Sequence, residues 1–216
     1  MRADRDQWSL LVPVKRLAIA KTRLALPSAE RVEIALAMAC DTVSACLECD
    51  VVGEVVVITD DARARDALAA LGARVIDDRP DAGLNPALKH GARAAALPRV
   101  AALSSDLPAL RPADLGAVLR LAGGHVSTMV ADVSGVGTTL LAARTIADFS
   151  PQFGGESRAA HVSAGAIDVS AVAADSVRHD VDTVAALLAA VELGVGAATT
   201  RALATAGELG TAGLGS

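Results

Sequence analysis

The chain has no tyrosine, two phenylalanines and one tryptophan among its 216 residues, so its core has to be built from small aliphatic side chains. Without aromatic platforms, base stacking is excluded as a main mode of nucleic-acid binding. Positive charge is also in deficit, with 20 Lys and Arg against 25 Asp and Glu and a net charge of −5. That balance argues against nucleic acid or an anionic membrane surface as the main partner. No apolar run approaches the ~20 residues of a membrane span. The amino terminus, Met1-Arg2-Ala3-Asp4-Arg5-Asp6, is followed by no secretory hydrophobic region, and the expectation is a soluble, cytoplasmic protein.

Glycine is missing between Met1 and Gly53. The first strand-to-helix turn therefore lacks the Gly-x-Gly-x-x-Gly that admits a dinucleotide pyrophosphate to a helix N-terminus, which disfavours an NAD-dependent dehydrogenase. Cysteine is sparse and clustered: Cys40, Cys46 and Cys49. Cys46-Leu47-Glu48-Cys49 has metal or redox spacing, but no second Cys or His pair completes a zinc site, and the three read as core residues. His90, His125, His161 and His179 show no ligand spacing and read as surface or packed groups.

What is present is ample apolar content, 52% of the chain, enough for one large α/β domain. Leu10–Val14, Val55–Thr59, Arg74–Ile76, the run from Val100 toward Asp106, Val126–Ala131, Thr138–Ala142 and Ser176–His179 read as strands. Helical spacing is strongest from Ser28, a candidate N-cap, through Val32, Leu36, Ala39, Val43 and Leu47. Further helices are expected over Ala62–Leu71, Asn85–Ala96, Pro112–Ala122 with Gly123-Gly124 closing it, Arg158–Ala164 and Thr183–Leu193. This alternation predicts a three-layer α/β/α fold with a mainly parallel mixed sheet, a single domain over 1–216 with its core at about 9–207. From about Glu208 the composition predicts a frayed tail.

Leu103-Ser104-Ser105-Asp106-Leu107-Pro108 delivers one carboxylate to the end of a buried strand, where open α/β sheets bind ligands. A second acidic cluster, Asp180-Val181-Asp182, precedes a helical segment. Together such acids could hold a hard divalent cation against phosphates. The basic loop after the first strand, with Lys15, Arg16, Lys21 and Arg23, either neutralises a triphosphate or is a solvated turn. Gly135-Val136-Gly137 shapes a turn that leaves Thr138 at the start of the next strand, and Gly194-Val195-Gly196 is discounted as a cofactor fingerprint. Phe153-Gly154-Gly155-Glu156-Ser157 could present backbone N–H groups and a hydroxyl to an anion, or Ser157 could simply cap the helix that follows.

Taken in order, Val12-Pro13-Val14-Lys15-Arg16-Leu17, Ala20-Lys21-Thr22-Arg23-Leu24, Gly83-Leu84-Asn85-Pro86-Ala87-Leu88, Asp106-Leu107-Pro108-Ala109-Leu110, Gly137-Thr138, Phe153-Gly154-x-x-Ser157 and Asp180-Val181-Asp182-Thr183 form a series. The series resembles the guanylyltransferases of deazaflavin coenzyme F-420 biosynthesis, relatives of the molybdenum-cofactor guanylyltransferases with the nucleotide-diphospho-sugar transferase fold. It covers about Leu11 to Gly196. The resemblance implies transfer of GMP from GTP to a small phosphorylated three-carbon acid, with release of pyrophosphate. The expected acceptor is phosphoenolpyruvate, as in the actinobacterial members that the Ala- and Val-rich chain looks most like. The alternatives are 2-phospho-L-lactate and 3-phosphoglycerate.

The resemblance further implies Mg²⁺ held by Asp106, Asp180 and Asp182, with Lys15, Lys21 and Arg23 facing the triphosphate and Asn85 near the nucleotide. Thr138, Gly154 and Ser157 would hold the acid. Ser104-Ser105 stands where relatives often carry Gln and a small residue, and Val184 where a proline is frequent. The other expected partners are the downstream enzyme that accepts a labile product and a second copy of the chain. A catalytically silent nucleotide-binding module is the reading from another class, disfavoured by the full acidic set.

Overall fold

Successive residues of the central strands belong alternately to two apolar clusters. Leu10 and Val12, Val55 and Val57, Ala101 and Leu103, and Leu140 and Ala142 enter one. Their neighbours Leu11, Val56, Ile58, Val100, Ala102, Leu141 and Ala143 enter the other. A strand with apolar side chains on both faces must be covered on both, and here it is. A computed structural model describes residues 6–19, 21, 24 and 27–212.

The strands are β1 (Trp8–Pro13), β2 (Val52–Ile58), β3 (Arg74–Ile76), β4 (Arg99–Leu103), β5 (Ser127–Ala131), β6 (Thr138–Ala143) and β7 (Ile167–Asp168). They form one seven-stranded sheet in the order β3-β2-β1-β4-β6-β5-β7. Pairing is parallel from β3 to β4 and between β5 and β7, and antiparallel where β6 meets β4 and β5. The helices are α1 (Ser28–Leu47), α2 (Ala62–Ala70), α3 (Leu84–Ala94), α4 (Pro112–Ala122), α5 (Ser157–Ser163), α6 (Asp175–Arg178), α7 (Val184–Leu193) and α8 (Ala197–Ala212). Side chains of α1, α2, α4 and α6 fill the first cluster, and α3 packs against the second. The expected three-layer architecture with a mainly parallel mixed sheet is present. Among the described residues no helix is long and apolar enough to cross a membrane.

α1 is apolar on two sides. Ala39, Val43 and Cys46 face the sheet, with Val32, Leu36 and Leu47 beside them. Ile34 and Met38 join Val181, Leu187 and Ala190 on the outer side, where Ala202 and Leu203 of α8 pack. Burying side chains of this size stabilises by about 1.5–3 kcal/mol each. Cys46 and Cys49 are buried free thiols. Burial pushes both up, so they pack as core side chains.

Three local expectations change. Ser176–His179 is not a strand: Asp175–Arg178 makes one helical turn that puts Val177 into the core. The Arg178 guanidinium meanwhile donates to the carbonyls of Ala131 and Asp132 at the end of β5, at 3.2 and 3.0 Å. Ser28 does not cap α1, because the helix already starts there, with Pro27 at the cap and no side-chain capping bond. The carboxyl end is also more helical than its composition suggests, since α8 runs to Ala212, past Glu208. Its start is capped at a distance by Asp41 of α1, which accepts from the N–H groups of Ala198 (2.9 Å) and Thr199 (2.7 Å). Gly196 is required there, because a Cβ would stand 2.3 Å from the Asp41 carboxyl carbon.

Candidate active site

Strand order places the site. β1 and β4 lie side by side and parallel, so Val14 and Lys15 emerge beside Ser104 to Asp106. β6 runs the other way, with Leu140 opposite Leu103 and the Ser104 N–H donating to the Thr139 carbonyl at 2.8 Å. The chain therefore enters β6 at Thr138 close to where it leaves β4 toward Asp106. A cleft of about 520 Å³ opens at this edge, and Lys15, Lys21, Ser104, Asp106, Gly154 and Asp182 line it.

Asp106 is held by its neighbours. Thr42, fully buried in the middle of α1, donates to the Met38 carbonyl (2.8 Å) and accepts from the Leu107 N–H (3.1 Å). The Asp106 carbonyl accepts from the Val181 N–H at 3.0 Å. Val181 is itself buried among Met38, Leu187 and Ala190, so its flanking acids, Asp180 and Asp182, are brought to Asp106.

Lys21 has a left-handed backbone, φ 54°. Its ammonium donates to Asp106 and, at 2.7 Å, to Asp182. Burial pulls this ammonium down, but Asp106 and then Asp182 outweigh it, and the group stays charged above its ordinary range. Asp180 behaves oppositely. Burial, reinforced by repulsion from Asp106, Asp132 and Asp182, pushes its carboxyl up to about 7, against the pull of Lys21. Among the described residues no three His, Cys, Asp or Glu side chains are grouped as a metal site; the Lys21 ammonium bridges two of the carboxylates instead. Lys15 is exposed on the cleft wall and Arg16 lies 3.7 Å from Asp60. Arg23 lies outside the described residues.

A second polar cluster forms around Thr138. Ser157 does not cap α5: Glu156 is at the cap position with no side-chain bond. The buried Ser157 hydroxyl lies 3.0 Å from that of Thr138 instead. Gly154 (φ 105°) and Gly155 (φ 51°) take backbone conformations open to glycine, which carries the loop past this pair. Asn85, near the start of α3, holds the loop: its amide donates to the Phe153 carbonyl (3.0 Å) and its carbonyl accepts from the Phe153 N–H (2.8 Å). His161, fully buried, stands behind Thr138 with Nδ1 3.0 Å from the hydroxyl. His179 is packed, its Nε2 3.0 Å from the Ala186 carbonyl.

Sequence reasoning missed Thr42 and His161. Thr42 could have been flagged as the polar residue among Met38, Ala39, Cys40 and Val43. His161 carried no such signal, because its partners are Thr138 and Gln152, on other elements.

The description "Guanylyl transferase CofC like" belongs to the family profile that matches residues 8–203, which include the whole cleft. The chain belongs to this guanylyl transferase family. Among its relatives, a phosphoenolpyruvate guanylyltransferase of Thermomonospora curvata is 54% identical over 197 residues, covering 89% of this chain and 86% of the relative. A protein of the same name from Streptomyces coelicolor is 51% identical, covering 89% and 94%. Among solved structures, a nucleotidyl transferase from Methanothermobacter superposes with a TM-score of 0.63 at 21% identity, covering 85% of this chain and 95% of that one. The 4-diphosphocytidyl-2C-methyl-D-erythritol synthase of Anaerococcus prevotii superposes at 0.59 with 9% identity, covering 88% and 97%. At such identities these two establish the fold of this guanylyl transferase, which is that of nucleotidyltransferases.

Proposed function

We propose that this guanylyl transferase moves GMP from GTP to phosphoenolpyruvate, releasing pyrophosphate, as a step of coenzyme F-420 biosynthesis. The observation that carries the reading is a cleft whose wall sets cations beside acids, Lys15 and Lys21 with Asp106 and Asp182. Asp180 adjoins these acids, and Ser157, shortly after Gly154 of the cleft wall, pairs its buried hydroxyl with that of Thr138. The acceptor is taken from the relatives, which are named phosphoenolpyruvate guanylyltransferases.

In the reaction, a phosphate oxygen of the acceptor bonds to the α-phosphorus of GTP as the bond from that phosphorus to the bridging oxygen of the β-phosphate breaks. The electron pair leaves with pyrophosphate. The nucleophile is already anionic at neutral pH, so no general base is required. The demand is to align two polyanions and neutralise them. Lys15 and Lys21 stand on the cleft wall to meet the triphosphate, and the Thr138–Ser157 pair meets the acceptor.

Mg²⁺ fits the donor set. Asp106, Asp180 and Asp182 offer hard carboxylate oxygens, and Asp180, pushed up by burial and then by its acidic neighbours, is a carboxyl that a bound cation would return to its charged form. These three would hold the ion once Lys21 moves onto phosphate. When bound, the ion supplies charge neutralisation at the phosphate oxygens.

The test is pyrophosphate release from GTP and Mg²⁺ with phosphoenolpyruvate, 2-phospho-L-lactate and 3-phosphoglycerate in turn, with the downstream enzyme present to draw off a labile product. Release is expected with phosphoenolpyruvate above the other two. No release with any of them sinks the proposal, and a preference for another acid replaces the acceptor.

A further inference from the structure

Both ring nitrogens of His161 are engaged, and one of the partners leaves no choice of direction. Nε2 lies 2.9 Å from the Gln152 backbone nitrogen, which carries a hydrogen and can only donate. Nε2 therefore presents its lone pair. A neutral imidazole with Nε2 bare carries its proton on Nδ1, 3.0 Å from the Thr138 hydroxyl. The ring is neutral: burial pulls His161 down to about 4, with a hydrogen bond to the Ser157 backbone pulling the other way. Phe153 meets it edge to face, with centroids 5.1 Å apart, which fixes the ring plane.

A protonated Nδ1 has no lone pair to offer, so Thr138 cannot donate into the ring. Thr138 and Ser157 together own two hydroxyl protons, and the 3.0 Å contact between them uses one. The other must point away from the ring, whichever way that contact runs. In the opposite tautomer, Nδ1 would accept from Thr138 and Thr138 from Ser157, leaving only lone pairs outward. An outward O–H welcomes a carboxylate or phosphate oxygen, whereas outward lone pairs repel one.

We infer that His161 is a positioning residue that sets the polarity of the Thr138–Ser157 pair, aiming a hydroxyl proton at an anionic oxygen of the acceptor acid. The inference rests on the assignment of this pair to the acceptor under the proposed function. The same ring ties the loop at Gln152 to the start of β6, so one side chain fixes both the place and the donor character of the subsite.

The tautomer is read first, by side-chain ¹⁵N chemical shifts of the unmodified protein without ligands: Nδ1 protonated and Nε2 bare is expected. His161→Phe keeps the ring volume and removes both nitrogens. It is expected to raise KM for phosphoenolpyruvate by about tenfold or more while KM for GTP stays within about twofold. His161→Asn, which returns an amide donor near the Nδ1 position, is expected to recover part of the loss. An Nε2-protonated ring overturns the inference. So does an unchanged acceptor KM in His161→Phe, or GTP and acceptor KM rising together. Should His161→Phe not fold, the tautomer of the unmodified protein decides. Absence of turnover by the unmodified protein with any three-carbon phospho-acid sinks the proposed function and the acceptor half of this inference with it. The tautomer, read without an acceptor, separates that outcome from a misjudged ring.

Discussion

Thr42→Val removes one oxygen and keeps the shape of the side chain. In the folded protein that oxygen is fully buried and is the acceptor for the Leu107 N–H, 3.1 Å away. Valine would leave this donor facing a methyl group, and a buried unpaired N–H costs about 1–3 kcal/mol. The bond that Thr42 makes to the Met38 carbonyl matters less, since that carbonyl keeps its intrahelical partner. For a chain of this size each kcal/mol lowers the melting temperature by about 2–4 °C, so a fall of about 2–12 °C is expected by circular dichroism. Leu107 follows Asp106, so the slackened loop should also lower turnover. Thr42→Ser separates the two effects, because it keeps the hydroxyl and loses one methyl, a packing cost of about 1 kcal/mol. Valine slow and serine near full activity is the expected pattern. A valine variant as stable and active as the unmodified protein would refute the pinning role, as would a serine variant equally slow.

Three other outcomes follow from the geometry. His161 is neutral in the fold at a pH where the unfolded chain protonates it, so stability should decline as pH falls from about 6.5 toward 4, by about 3 kcal/mol in all. Urea titrations across that range check this, and His161→Phe should flatten that part of the curve. Asp41→Ala strips the cap from α8 and should cost about 1 kcal/mol by urea denaturation. An unchanged midpoint would show that α8 does not depend on it. Lys21→Met removes the cation shared by Asp106 and Asp182 and should cut turnover by about 10²-fold or more. A variant within a few-fold of the unmodified rate would show that the triphosphate is neutralised elsewhere.

Legibility in the sequence followed the range of the physics involved. β1, β2 and β4 showed as uniformly apolar runs because both of their faces are covered, and α1 showed through its spacing. Asp106 stood out because an acid ends such a run. Elements stabilised from afar were misread. The start of α8 was given no element, since its cap, Asp41, is 157 residues from Ala198, only its end from Glu208 was read as a tail, and α6 looked like a strand because a single buried Val177 carries no period. Ser157 looked like a cap because its actual partner, Thr138, lies 19 residues back across a strand. The bridge from Lys21 to Asp106 spans 85 residues, and no local pattern encodes it.

Thr138, Gly154, Ser157 and His161 come from one unbroken stretch, 138–161, whose strand β6 pairs antiparallel with both β4 and β5. Lys15, Lys21 and Asp106 precede it in the chain, and Asp180 and Asp182 follow it. Under the proposed function, such a layout would make the acceptor pocket an interchangeable part. A lineage, or an engineer, could replace that single segment and redirect the enzyme to a different acid while the machinery for the nucleotide is inherited unchanged.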